Sequence, residues 1–180
     1  MVGMERGWEI RIKRELIQSR TGLTRTVGQY QVYHDGEAVS ALCGRTAESP
    51  GPGSNSTPGN KKRIEPGRYP LWTQDGTNYV TIGYTSNQNH AAIPRPSIEL
   101  KETGNRSEIL IHPGRGFLSS VGCINLCKTL PSADTDLEYV ENRLRVIAII
   151  ADLRAYCGDS FPTANGQPIP HAWAVVDGEP

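Results

Sequence analysis

Apolar and polar positions alternate with period two through much of the first 130 residues, the pattern of strands with one buried face. Trp8, Ile10 and Ile12 alternate with Glu9, Arg11 and Lys13 and predict a half-buried strand. Tyr30-Gln31-Val32-Tyr33 and Ala38-Val39-Ser40-Ala41-Leu42 flank His34-Asp35-Gly36-Glu37. Asp-Gly between such runs predicts a tight hairpin, because both central residues of its turn must accept positive φ. A second Asp-Gly, Asp75-Gly76, lies between Tyr69-Pro70-Leu71-Trp72 and Tyr79-Val80-Thr81-Ile82 and predicts another hairpin. Glu108 to His112 reads as a short, largely apolar strand ended by Pro113-Gly114. Glu48 to Asn60 and Asn87 to Ser97, rich in proline, glycine and small polar residues, read as long loops.

The period changes after residue 130. Thr135 and Glu138 have capping-box spacing, and Leu137, Val140, Leu144, Ile147, Ala148 and Ala151 fall on one helical face, with Gly158 as a stop. Leu144 and Ile147 are expected against the β core. The tail from Phe161 carries proline and glycine throughout, with Trp173 to Val176 as one short strand. The expectation is one domain over residues 1–180: a β core over about 8–130, a helix over about 135–157 and an irregular tail over 158–180.

Composition narrows the classes. At 37% apolar and 21% charged residues the chain is globular in composition. Its 19 basic and 19 acidic residues cancel, which disfavours nucleic-acid binding. No run reaches the roughly 18 to 20 apolar residues of a membrane-spanning helix, so membrane insertion is not expected. Met1 to Arg20 contains no apolar run of signal-peptide length, so the protein is expected to be made in the cytoplasm without a signal peptide. Of four cysteines, none forms a C-x-x-C pair, and neither a metal nor a cofactor is expected. Cys43, Cys127 and Cys157 read as core thiols, and His34, His90 and His171 as surface residues.

Chemistry concentrates in Ile109-Leu110-Ile111-His112-Pro113-Gly114 and Ser119-Ser120-Val121-Gly122-Cys123-Ile124-Asn125-Leu126. A thiol needs a base or a positive neighbour to act as a nucleophile near neutral pH. His112, eleven residues before Cys123, reaches it if the intervening loop folds back. Gly122 admits a tight backbone path, and the amides around Gly122 and Cys123 are candidate oxyanion donors. Trp72 and Tyr84 are candidates to line a substrate groove.

Ile111-His112-Pro113-Gly114 followed by Ser120-Val121-Gly122-Cys123-Ile124 resembles the catalytic signature of L,D-transpeptidases of the YkuD-like family. Ile64-Glu65-Pro66-Gly67-Arg68-Tyr69-Pro70-Leu71 resembles a family strand, and Val32 to Gly36 its opening hairpin. Small phage- or secretion-linked relatives with an Ile-His-Pro-Gly run are more similar still.

The resemblance implies a mainly β, YkuD-like sandwich with one long C-terminal helix, and Cys123 as nucleophile acting on peptidoglycan stem peptides through a thioester. His112 would be the base, and Ser120 would order the site. Val121 and Asn125 stand where many members have histidine and arginine, and Arg115 or Arg106 would then take a carboxylate. Such chemistry belongs to the periplasm or cell wall. A cytoplasmic start therefore points to a delivered antibacterial effector, as in type VI secretion, acting in a target cell and paired with an immunity protein, or to a phage wall enzyme. Two other readings stay open: a non-catalytic β module that binds wall peptide or a partner, and a general cysteine hydrolase of another acyl substrate.

Overall fold

The structure, a computed structural model, describes residues 6–180; residues 1–5 of the expected domain lie outside the described residues. It is mainly β with one long helix, as the sequence periodicity predicts. Three long strands open the chain: β1 (Trp8–Arg20), β2 (Leu23–His34) and β3 (Glu37–Glu48). His34 pairs with Glu37 across Asp35-Gly36, whose φ values of 51° and 86° are those of the predicted tight turn. Thr21-Gly22 turns β1 into β2 the same way, with φ of 46° and 80°.

Next come β4 (Gly67–Trp72), β5 (Tyr79–Val80), β6 (Arg95–Pro96), β7 (Ile98–Leu100), β8 (Ile109–His112) and β9 (Ile124–Cys127). The helix α1 (Tyr139–Cys157), a 3-10 turn over Gly158–Ser160 and β10 (Pro168–Asp177) complete the chain. The sheet closes on itself in the order β1-β10-β4-β7-β8-β9-β3-β2, an eight-stranded barrel rather than a pair of facing sheets. Closure leaves no open edge for another chain to extend.

Three local expectations are corrected. Asp75-Gly76 makes no hairpin: β4 pairs with β10 and β7, and β5 pairs in parallel with β6, leaving one isolated bridge between Asp75 and Val80. The tail is not irregular, because β10 lies between β1 and β4 and completes the barrel, burying Ile169, Ala172, Ala174 and Val176. Its prolines and a register shift between Pro168 and Trp173 hide that alternation.

The helix starts at Tyr139, not at a Thr135 cap. Leu137 is held in a two-way backbone bridge to Gly116, and the Thr135 carbonyl accepts from Arg25 Nη2 at 2.9 Å, so tertiary bonds override the capping box. Its buried face is Asn142, Arg143, Val146, Ile149, Ile150 and Leu153, whereas Leu144 is 55% and Val140 45% exposed. Ile147 is only half-buried. The buried face therefore lies on nearly the opposite side of the helix from the expected one. Val146, Ile149, Ile150 and Leu153 join Trp8, Ile10, Ile111 and Ile124 in one core. Trp8 Nε1 donates to Asp152 of the helix at 2.8 Å.

Candidate active site

Strands β8 and β9 are parallel neighbours, with Ile111 beside Ile124 and His112 beside Asn125. Ile111 and Ile124 face the barrel core. Alternation therefore turns Leu110, His112, Cys123 and Asn125 to the opposite side of the sheet. Continuing the register puts Cys123 beside Leu110, diagonal to His112, about 8 Å apart at Cα from strand spacing and rise. The loop from 113 to 122 thus does fold back, returning the chain to the strand it left.

Buried side chains hold that loop. Asn125, fully buried, donates from Nδ2 to the His112 carbonyl at 3.1 Å and accepts the Ser119 amide on Oδ1 at 3.3 Å. Asn142 of the helix accepts the Gly114 amide at 3.3 Å. Ser120 Oγ donates to the Cys123 carbonyl, which fixes the turn before the thiol. Gly122 has φ of 106°, and a Cβ there would meet Arg106 Nη2 at 2.0 Å, so both backbone and neighbour require glycine. The Gly122 amide donates to Ser49 Oγ at 2.9 Å and is engaged there rather than open as an oxyanion donor.

The pair itself is electrically neutral at rest. Burial pushes the His112 imidazole down to about 4, with Arg95 adding to the fall and the Pro113 carbonyl opposing it. Burial pushes the Cys123 thiol up to about 11, against the Leu110 amide and the charge of Arg106. His112 Nδ1 lies 2.8 Å from the Pro113 carbonyl, which can only accept. The proton therefore sits on Nδ1 and Nε2 keeps its lone pair, the tautomer a base requires. The Tyr79 ring packs over the imidazole at 4.7 Å between centroids. Leu110 N–H donates to Cys123 Sγ at 3.3 Å, and the thiol donates to the Glu108 carbonyl at 3.5 Å. No hydrogen bond joins Cys123 to His112 among the described residues.

Cys123, His112 and Ser120 open onto one cavity of about 400 Å³, which Tyr79, Arg106 and Glu108 also line. Pro58 and Gly59 of the long 49–66 loop close one side, so that loop is part of the site. Arg63 ties it down, donating to Thr26 Oγ1 at 2.7 Å and to Glu179 at 2.6 Å.

Arg115, Tyr84 and Trp72, the expected substrate contacts, do not line this cavity. Arg115 is exposed and bonds His90 at 2.7 Å, Tyr84 packs against the barrel core, and Trp72 lies under Lys101. Arg106, the other arginine considered for a carboxylate, does line it. Cys127 is buried as expected and Cys157 packs half-buried against the core, whereas Cys43 is exposed and is not a core thiol. Sequence reasoning also missed Tyr79, Asn142 and the bracing by Asn125. The parity of Leu110, His112 and Asn125 about the strand pair was the available signal for the last of these.

Among the described residues, no three His, Cys, Asp or Glu side chains gather in a metal-binding group, and no helix is long and apolar enough to cross a membrane. Comparison with family models, with curated proteins and with solved structures finds no match for this chain.

Proposed function

We propose that this chain is a cysteine acyl-transfer enzyme of the L,D-transpeptidase type, acting on peptidoglycan stem peptides by transpeptidation or carboxypeptidation. The observation that carries the proposal is the convergence of Cys123 and a correctly tautomeric His112 on one cavity. The signature around Cys123 supplies the substrate class, and a YkuD-like kinship of the β domain belongs to the same proposal. Cys123 Sγ attacks the carbonyl before a terminal D-residue as its proton passes to His112 Nε2. The C–N bond then breaks, the amine leaves with that proton, and a thioester remains. Water or an amine attacks the thioester carbonyl and regenerates the thiol.

A neutral resting pair suits this sequence, because the base is unprotonated at neutral pH and the thiol delivers its proton during attack. Tetrapeptide muropeptides incubated with the protein should lose the terminal D-residue or exchange it, read by product mass. Cys123→Ala should abolish both, and His112→Ala should remove most of the rate. Unchanged substrate masses with folded wild type would refute the substrate class.

One observation favours the non-catalytic β module: the thiol bonds Leu110 and Glu108 rather than the imidazole. On that reading muropeptides bind without any mass change, and Cys123→Ala binds equally well.

A further inference from the structure

We infer that Arg106 anchors the C-terminal carboxylate of the peptide whose carbonyl Cys123 attacks, so that the enzyme acts on chain ends and not on internal bonds. The inference rests on the acyl-transfer reading for its substrate and on a charge imbalance for its site. Arg106 is 6% exposed and lines the Cys123 cavity. Its hydrogen-bond partners are neutral carbonyls: Nη1 donates to Ser54 at 3.0 Å and Lys62 at 2.8 Å, and Nη2 to Val121 at 3.4 Å.

Among the described residues no carboxylate pairs with it, although buried cations ordinarily have one. Arg14 and Arg63 differ in this respect, pairing with Glu48 at 2.7 Å and Glu179 at 2.6 Å; Arg25 and Arg143 are also held by uncharged oxygens, but neither lines the Cys123 cavity. Three carbonyls fix the guanidinium in place and leave donors over for a ligand, since it carries five N–H groups. With His112 neutral, Arg106 is the one cationic side chain among the described residues that line the cavity.

In the proposed reaction the leaving residue carries its carboxylate one carbon from the scissile nitrogen, so an anchored carboxylate presents the carbonyl to Cys123. Glu108, also in the lining, repels a second anion and confines the carboxylate to the Arg106 side.

Alkylation tests the anchor without any wall substrate. Iodoacetate carries a carboxylate that iodoacetamide lacks, and their rate ratio at one thiol cancels its thiolate fraction. Exposed Cys43 serves as the internal reference, read by mass spectrometry of peptides. The ratio at Cys123 should exceed that at Cys43 by about tenfold, the scale of a charge-assisted bond. Arg106→Gln should bring it down to the Cys43 value, and Arg106→Lys should retain part of it. A wild-type ratio at Cys123 no higher than at Cys43 overturns the inference, with no variant needed.

A second arm compares tetrapeptides ending in carboxylate or in amide. The amide should raise KM in the wild type, and equal KM for both overturns the end-recognition claim. Absence of turnover with both peptides, together with the iodoacetate preference, would instead strike the stem-peptide reading and leave the carboxylate site standing.

Discussion

His112→Gln should remove about 3 kcal/mol of the protein's acid sensitivity. The imidazole is buried, and its pKa falls from 6.5 to about 4 on folding. Between these values the unfolded chain holds a proton at this residue and the folded chain does not. Stability therefore rises with pH in that window and is lost as pH falls through it. A displacement of about 2.5 pH units corresponds to about 3 kcal/mol. The causes are visible around the ring: the site is desolvated, Tyr79 packs against one face, and Arg95 stands behind it. Only the Pro113 carbonyl favours the cation.

Urea unfolding at pH 8 and pH 4 on wild type and His112→Gln gives the double difference. Acidic groups titrate alike in both proteins and cancel. The wild type should lose about 3 kcal/mol more than the variant over that interval. Equal losses would mean that His112 is solvated or charged in the fold, and the neutral-base mechanism would fall with it.

Three further outcomes are expected. Ile149→Ala should cost about 2 to 5 kcal/mol while Leu144→Ala stays within about 0.5 kcal/mol, measured by the same unfolding, since the first is buried and the second 55% exposed. At pH 7 iodoacetamide should modify Cys43 well before Cys123, whose rate should climb tenfold per pH unit toward pH about 11; a plateau near neutral pH would mean a preformed thiolate. Directed to the bacterial periplasm, the protein should slow growth more than in the cytoplasm, and Cys123→Ala should remove the harm; toxicity that survives the substitution would favour the binding module.

What the sequence showed was what neighbouring residues decide. Asp35-Gly36 turns its hairpin because flanking strands and turn residues agree within a dozen positions. Asp75-Gly76 has the same dipeptide, but the strand before it finds better partners in β7 and β10, which lie far along the chain. The helix was legible as an element. Its phase was not, because buried Asn142 and Arg143 interrupt the true apolar face and exposed Val140 and Leu144 supply a false one. Asn142 is buried for its bond to Gly114, and Arg143 donates to the Thr85 carbonyl, interactions with loops 28 and 58 residues away. Cys123 and His112 were found because their motif is local. That Arg106 rather than Arg115 lines the cavity was not legible, because its position depends on a carbonyl 52 residues earlier, which no spacing rule reports.

The site's charges constrain the order of chemical events. The Leu110 amide favours a Cys123 thiolate most, and Arg106 is the charged side chain that favours it next. On the proposed reading, a substrate carboxylate bound to Arg106 cancels that influence at the moment of reaction. The thiolate is then harder to form with substrate present than without it, so a mechanism that begins with a free thiolate is the least suited to this cavity. Proton transfer to His112 must instead accompany attack, with negative charge passing to the carbonyl oxygen and never resting on sulfur. The imidazolium formed beside half-buried Tyr79 is unstable for the same reason that resting His112 is neutral. That instability drives its proton onward to the departing amine, so burial of the base and release of the leaving group are two consequences of one environment.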